Sequence, residues 1–172
     1  MIRFFRVSDE QLKRDWEKLH WPMTDENSLE DAVFRMPTRA TMDSAGYDIF
    51  APINLLLRAG ESMTIPTGWK VALPTGSFLM LVPRSGLGFK YQIGLANTVG
   101  IIDADYYDNP DNEGHIMVKL VNRGDKDCRI YAGKNAICQG IILDYLITDD
   151  DFPGKDIRAG GFGSTDVIKE NL

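Results

Sequence analysis

Short apolar runs broken by glycine, proline, asparagine and aspartate fill the middle of the chain. Ile49-Phe50-Ala51, Leu55-Leu56-Leu57, Phe78-Leu79-Met80-Leu81-Val82 and Ile116-Met117-Val118 are the clearest of them. Runs of this length between turn formers, spaced roughly 8–12 residues apart, predict an antiparallel β-sandwich or barrel. Before them the period changes. Ser8 with Gln11 reads as a capping box, and Leu12, Trp16 and Leu19 then recur at helical spacing until Trp21-Pro22 ends the pattern. A short acidic stretch over residues 28–34 predicts one further turn. After residue 147 the pattern dissolves into Asp149-Asp150-Asp151 and a glycine-rich tail that holds too few apolar residues for a core strand. Three parts follow: a helical extension over residues 1–34, a β core over 35–147 and an arm over 148–172. There is no strand–helix–strand alternation, and neither GxGxxG nor GxxxxGK[ST] occurs, which argues against Rossmann and P-loop folds.

Composition narrows the chemistry. A chain of 172 residues is one domain, large enough to bury a core without disulfides or a structural metal. Lys and Arg number 19 against 25 Asp and Glu, a net charge of -6. That balance argues against a sequence-independent grip on nucleic acid or anionic lipid, since both rest on clustered cations. Two cysteines, Cys128 and Cys138, and two histidines, His20 and His115, are too few for a Cys/His zinc site. No stretch approaches the roughly 20 apolar residues of a membrane span, and the start does not read as a secretory signal. The expectation is a cytoplasmic protein with reduced thiols and no membrane or nucleic-acid partner.

Five stretches place polar groups in an otherwise apolar setting. Ser44-Ala45-Gly46-Tyr47-Asp48 sets a carboxylate at the head of a strand, where closing a turn would also explain it. Pro83-Arg84-Ser85-Gly86 follows the most apolar strand and presents a cation, a hydroxyl and backbone N–H groups together, as phosphate oxygens require. Asn97 to Tyr106 includes an apolar run that delivers Asp103 and Asp105 at alternate positions, both expected on one face of a strand. A buried Asp beside a polyphosphate can serve as general base toward water. Gln139 interrupts a further apolar strand and needs a hydrogen-bonding partner if buried. In the tail, Arg158-Ala159-Gly160-Gly161-Phe162-Gly163-Ser164-Thr165 combines anion-binding backbone, a guanidinium and a ring for stacking.

Taken in order, Ala45-Gly46-Tyr47-Asp48, Pro83-Arg84-Ser85-Gly86-Leu87, Gly100-Ile101-Ile102-Asp103-Ala104-Asp105-Tyr106, the Ala136-to-Gln139 strand and Gly160-Gly161-Phe162-Gly163-Ser164-Thr165 resemble the five motifs of the trimeric dUTPase family. The resemblance spans roughly residues 35–166. It implies an all-β, jelly-roll-like antiparallel fold, here with a helical N-terminal extension and a flexible glycine-rich C-terminal arm. It also implies a homotrimer with sites shared between subunits and Mg²⁺-dependent hydrolysis of dUTP to dUMP and pyrophosphate. That reaction limits uracil incorporation into DNA and supplies dUMP for dTMP synthesis. By position, Asp103 resembles the residue that orients the attacking water and contacts the deoxyribose 3′-hydroxyl. Tyr106 resembles the ring beneath the sugar that rejects a ribose.

The backbone from Asn97 through Ile101 and Ile102 would read uracil, with Met117 at the pocket. Arg84, Ser85 and Gly86 would hold phosphates with help from Gln139. Asp48 matches the first-motif carboxylate near the metal, acting through water on an ion held mainly by the triphosphate. Phe162 would stack on uracil while Arg158, Gly163 and Ser164 grip the terminal phosphate as the arm closes a neighbouring subunit's site.

The chain departs from the family pattern in four places. Tyr107-Asp108-Asn109-Pro110-Asp111-Asn112-Glu113 lengthens the usual turn and is read as extending a hairpin, with altered access to the site as the alternative. The spacing from Arg158 to Gly160-Gly161 is one residue tighter than usual, so Lys155 could share that role. Asp166 stands where glycine is usual, and the helical extension exceeds the common length. The related dCTP deaminases share the fold but need a Glu where Lys119 stands and lack the counterpart of Asp105. A non-catalytic nucleotide sensor on the same scaffold would have little need of Asp103.

Overall fold

The computed structural model describes residues 1–19 and 30–151. Among the described residues the chain forms twelve strands, two α-helices and one 3-10 turn. In chain order they are β1 (Arg3–Arg6), α1 (Asp9–Lys18), β2 (Thr38–Arg39), β3 (Tyr47–Phe50), β4 (Leu55–Leu57), β5 (Ser62–Pro66), β6 (Trp69–Ala72), β7 (Ser77–Val82), α2 (Ser85–Tyr91), β8 (Ile93–Leu95), β9 (Gly100–Asp103), the turn Ala104–Tyr106, β10 (Met117–Asn122), β11 (Cys128–Ile130) and β12 (Ala136–Asp144).

Every pairing is antiparallel. The largest sheet has the order β2-β3-β12-β7-β9, a second has β5-β10-β8, and β1-β6 and β11-β4 form two-stranded ribbons. The apolar runs of the sequence lie in β3, β4, β7 and β10, so the expected jelly-roll-like β architecture is what forms. Alternation sets which side faces in: along β7, Ser77, Leu79 and Leu81 are buried while Phe78, Met80 and Val82 are half-buried on the opposite face. Leu79 and Leu81 pack with Ile49, Ile65, Ile93, Ile116, Leu120 and Ile137 in one core.

The N-terminal segment joins that core. β1 pairs with β6, with Phe4 opposite Val71, and Phe4, Val7, Leu12 and Trp16 are buried in the same cluster. Ser8 caps α1 by accepting from the Gln11 N–H at 3.1 Å. The return half of the expected capping box is absent, because the Gln11 amide donates to Asp15 Oδ2 instead. The Ser8 N–H donates to Glu113 Oε2 at 3.0 Å, a carboxylate from far along the chain, and the Ser8 hydroxyl donates to Oε1 of the same group. An ionised acceptor is the stronger partner for a helix N-terminus.

Residues 107–113 are not a hairpin extension. They form successive turns, with left-handed backbone at Asp108 and Glu113 and at the following Gly114. Lys70 from β6 pairs with both Asp108 and Glu113. Burial pushes the Glu113 carboxyl up, but the Ser8 hydroxyl and N–H and the Lys70 ammonium outweigh it and hold the group below its ordinary 4.5.

A depressed acid contributes stability that is present above its unfolded value and is lost as pH falls through the folded one. The extension is therefore expected to loosen in acid. Thermal melts should show the wild-type advantage over Glu113→Gln at about pH 7 shrinking as pH falls below 4.5. A difference independent of pH would contradict the assignment.

Candidate active site

Three strands and a helix start build one polar cluster. Gln139 on β12 lies opposite Asp48 on β3 and Val82 on β7, so the three side chains share a row and a face of the large sheet. The chain leaves β7 through Pro83 and turns into α2 with Arg84 as its N-cap. Arg84 reaches back so that Nη1 stands 2.6 Å from Oδ1 of Asp48, an ion pair without hydrogen-bond alignment. Asp48 is only 8% exposed and Arg84 supplies its countercharge. Gln139 donates to the Pro83 carbonyl at 3.2 Å, which meets its need for a partner. Gly46 leaves room for the Gln139 carboxamide, which a Cβ at that position would displace. Gly86 instead faces open space, and with Ser85 it contributes first-turn N–H groups that have no intrahelical acceptor.

A second group lines a cavity of about 320 Å³ at the seam between sheets. β8 belongs to the three-stranded sheet and β9 to the five-stranded one. The chain crosses between them through a turn in which Thr98 takes a φ of 65°. The sheets diverge there and leave a space that brings together Asn97, Ile101, Ile102, Tyr106 and Met117. Leu81, Leu95, Ala96, Gly100, Val118 and Lys119 complete its wall; sequence reasoning did not single out Leu95, Ala96 and Val118 as site residues. The available signal was alternation, which puts Lys119 on the Met117 face of β10. The Tyr106 hydroxyl donates to the His115 carbonyl at 3.0 Å and accepts from the Asn112 amide at 2.7 Å.

Asp103 stands apart from the Arg84 cluster. β9 ends at Asp103 and the chain tightens into the Ala104–Tyr106 turn, so Asp105 sits on the turn and not at an alternate strand position. The expectation of two carboxylates on one strand face fails because the strand is too short to carry the second. Asp103 pairs with Phe78, whereas Arg84 emerges beyond Val82 at the other end of β7. Four residues of strand separate the two rows by about 13 Å. Asp103 lines a different cavity, of about 390 Å³, with Asp105, Thr75 and Tyr145. It shares the outer face of the large sheet with Asp48, Gln139 and Ile101, and Ile101 is 49% exposed. Arg158, Phe162, Gly163 and Ser164 lie outside the described residues, as does Lys155.

Among the described residues no three His, Cys, Asp or Glu side chains gather into a metal cage. Both thiols are buried and held toward the neutral form: burial pushes Cys138 up, reinforced by the Asp48 carboxylate, and burial raises Cys128 against a smaller opposing pull from Lys90.

The fold and site define a jelly-roll-like β protein with a cavity at a sheet seam and an Arg-Ser-Gly helix start at the end of the neighbouring strand. Comparison with known proteins makes this specific. The dUTPase family model matches residues 32–166. The deoxyuridine 5′-triphosphate nucleotidohydrolase of Lactococcus lactis is 41% identical over 137 residues, covering 79% of this chain and 91% of that protein. The crystal structure of dUTPase from Streptococcus mutans superposes with a TM-score of 0.61 at 35% identity, over 74% of this chain and 95% of that one. A phage phi11 dUTPase mutant, whose structure describes coordination of a structural Mg(II) ion, shares the fold at a TM-score of 0.61 and 20% identity, over 91% of this chain and 97% of that one. The chain belongs to the dUTPase family.

Proposed function

We propose that the chain hydrolyses dUTP in a site that no single copy completes, as a homotrimer in which Asp103 of one subunit meets the Arg84 cluster of another. The reaction is that of the family, dUTP and water giving dUMP and pyrophosphate, and the chain is an enzyme of the nucleotidohydrolase class. The observation that carries the shared site is the length of β7, which holds Asp103 and Arg84 at opposite ends of one sheet. The half-exposed apolar face between them, with Ile101 and Leu143, fits burial against a second copy.

In this reading uracil enters the cavity beside Asn97, Ile101, Ile102 and Met117, and Tyr106 lies beneath the deoxyribose. Arg84, Ser85 and Gly86 hold phosphate oxygens, with Gln139 beside them. Arg84 must then divide its fork between Asp48 and the ligand, a role that suits five donors in one plane. Asp103 orients and deprotonates the attacking water, so the work is positioning and charge neutralisation more than covalent catalysis. Arg158, Phe162, Gly163 and Ser164 of the arm close over the bound nucleotide.

Magnesium fits the donors in one way. Asp48 offers a carboxylate whose Oδ1 already faces Arg84, and no protein cage surrounds it among the described residues. That suits an ion that arrives with the triphosphate, keeps most of its waters and meets Asp48 through one of them. When bound it would neutralise charge on the phosphate oxygens. Among the described residues no helix is long and apolar enough to cross a membrane. The two buried, unpaired cysteines accord with a cytoplasmic setting.

The test is pyrophosphate release from dUTP, dCTP, dTTP and UTP in parallel. Release from dUTP alone, abolished by EDTA and restored by Mg²⁺, is the expected result. Binding of dUTP without release from any of the four would move the chain to the non-catalytic sensors.

A further inference from the structure

Tyr106 is held at both ends by residues that the family motif does not include. Its hydroxyl is placed between the Asn112 amide and the His115 carbonyl, and its own carbonyl accepts from Asn109 Nδ2 at 2.8 Å. Asn112 is 7% exposed, and its Oδ1 already accepts from Asn109 Nδ2 at 2.9 Å and from the Gly114 N–H at 3.1 Å. Two donors on the oxygen fix the amide orientation, so the nitrogen must face the tyrosine. Asn109 is spent in the same way, its Oδ1 accepting the N–H groups of Asp111 and Asn112.

The His115 end is anchored in turn. His115 is fully buried, and its Nε2 accepts the Gly68 N–H at 2.8 Å. The proton therefore sits on Nδ1, which donates to Asp15 Oδ2 of α1 at 2.6 Å. Gly114 permits the approach, since at its φ of +78° a Cβ would stand 2.5 Å from the Tyr106 carbonyl oxygen. The insert and the N-terminal helix thus converge on one ring.

We propose that Asn112, backed by Asn109 and by the Asp15–His115 pair, is a positioning residue that sets the sugar selectivity of the enzyme by locking the Tyr106 ring. The proposal rests on the reading that Tyr106 lies beneath the deoxyribose. A ring that excludes a 2′-hydroxyl by bulk discriminates only as strongly as it resists displacement. A tyrosine anchored at its hydroxyl and its carbonyl resists; one that pivots yields to the ribose. A fully satisfied buried network of this kind stiffens its members.

The test compares kcat/KM for dUTP and for UTP in wild type, Asn112→Ala, Tyr106→Phe and the double variant, at temperatures well below each melting point. Asn112→Ala should lower the dUTP-to-UTP ratio about 10-fold, the worth of one buried hydrogen bond, with a raised KM for dUTP and a smaller change in kcat. Tyr106→Phe keeps the ring but removes the anchored hydroxyl and should lower the ratio similarly, and the double variant should be no worse than either. A lower melting temperature with an unchanged ratio, or losses that simply add, would overturn the proposal. If Asn112→Ala does not fold, Asn112→Ser supplies the same comparison with a smaller lesion. Tyr106→Ala separates the two claims. Undiminished discrimination there would sink the reading of Tyr106 itself, whereas lost discrimination there with an intact ratio in Asn112→Ala would sink only the positioning role.

Discussion

Asp103→Asn is expected to leave a folded oligomer that binds dUTP and turns it over about 10²–10⁴-fold more slowly, the range that a positioned general base supplies. The carboxamide matches the carboxylate in shape but cannot take a proton from water. Asp103 is the last residue of β9 and is half-buried, and the carboxamide keeps its volume, so the substitution opens no core cavity. Its effect should fall on kcat, with KM for dUTP changed only a few-fold, because the lost interaction is made mainly in the transition state. Single-turnover measurements with saturating enzyme check this directly, since they exclude product release. A near-normal rate with an intact oligomer would remove Asp103 from the chemistry.

The strands were legible because their signal is local. Three to five apolar residues between turn formers can satisfy their hydrogen bonds only by pairing, and alternation along β7 and β10 follows from the pleat. The Ser8 cap was legible for the same reason, as its acceptor and donor lie three residues apart. What escaped is what depends on partners remote in sequence. Glu113 replaces Gln11 in the capping box from 105 residues away, and nothing near Ser8 announces it. Asp105 looked like a strand position because Ala104 and Tyr106 do not forbid one, yet the chain leaves the sheet at Asp103. The cavity wall at Leu95, Ala96 and Val118 exists only because β8 and β9 pair into different sheets, a tertiary choice with no local marker. Asn109 and Asn112 carried a faint signal. Two amides in one short insert are more than a solvated turn requires, and both are buried.

The spread of the candidate residues along β7 leads to the second large effect, which concerns assembly. Arg84→Ala removes the countercharge of the buried Asp48 as well as a phosphate donor, so this variant should lose turnover and some stability. Asp103→Asn should lose turnover by its own route. If each site joins the Arg84 cluster of one subunit to Asp103 of another, the two inactive variants can rescue each other. Unfolded together in equal amounts and refolded, copies assort at random, and about one quarter of the sites draw both intact halves. Activity should therefore recover to roughly 25% of wild type from two preparations that are nearly inactive alone. Mixing without unfolding is the control, in which each preparation keeps its own subunits and should stay inactive. Light scattering on the refolded mixture should give the mass of three chains, which separates a trimer from a dimer that shares sites in the same manner. Absence of rescue in a correctly sized mixture would mean that Asp103 and Arg84 serve the same site from one chain.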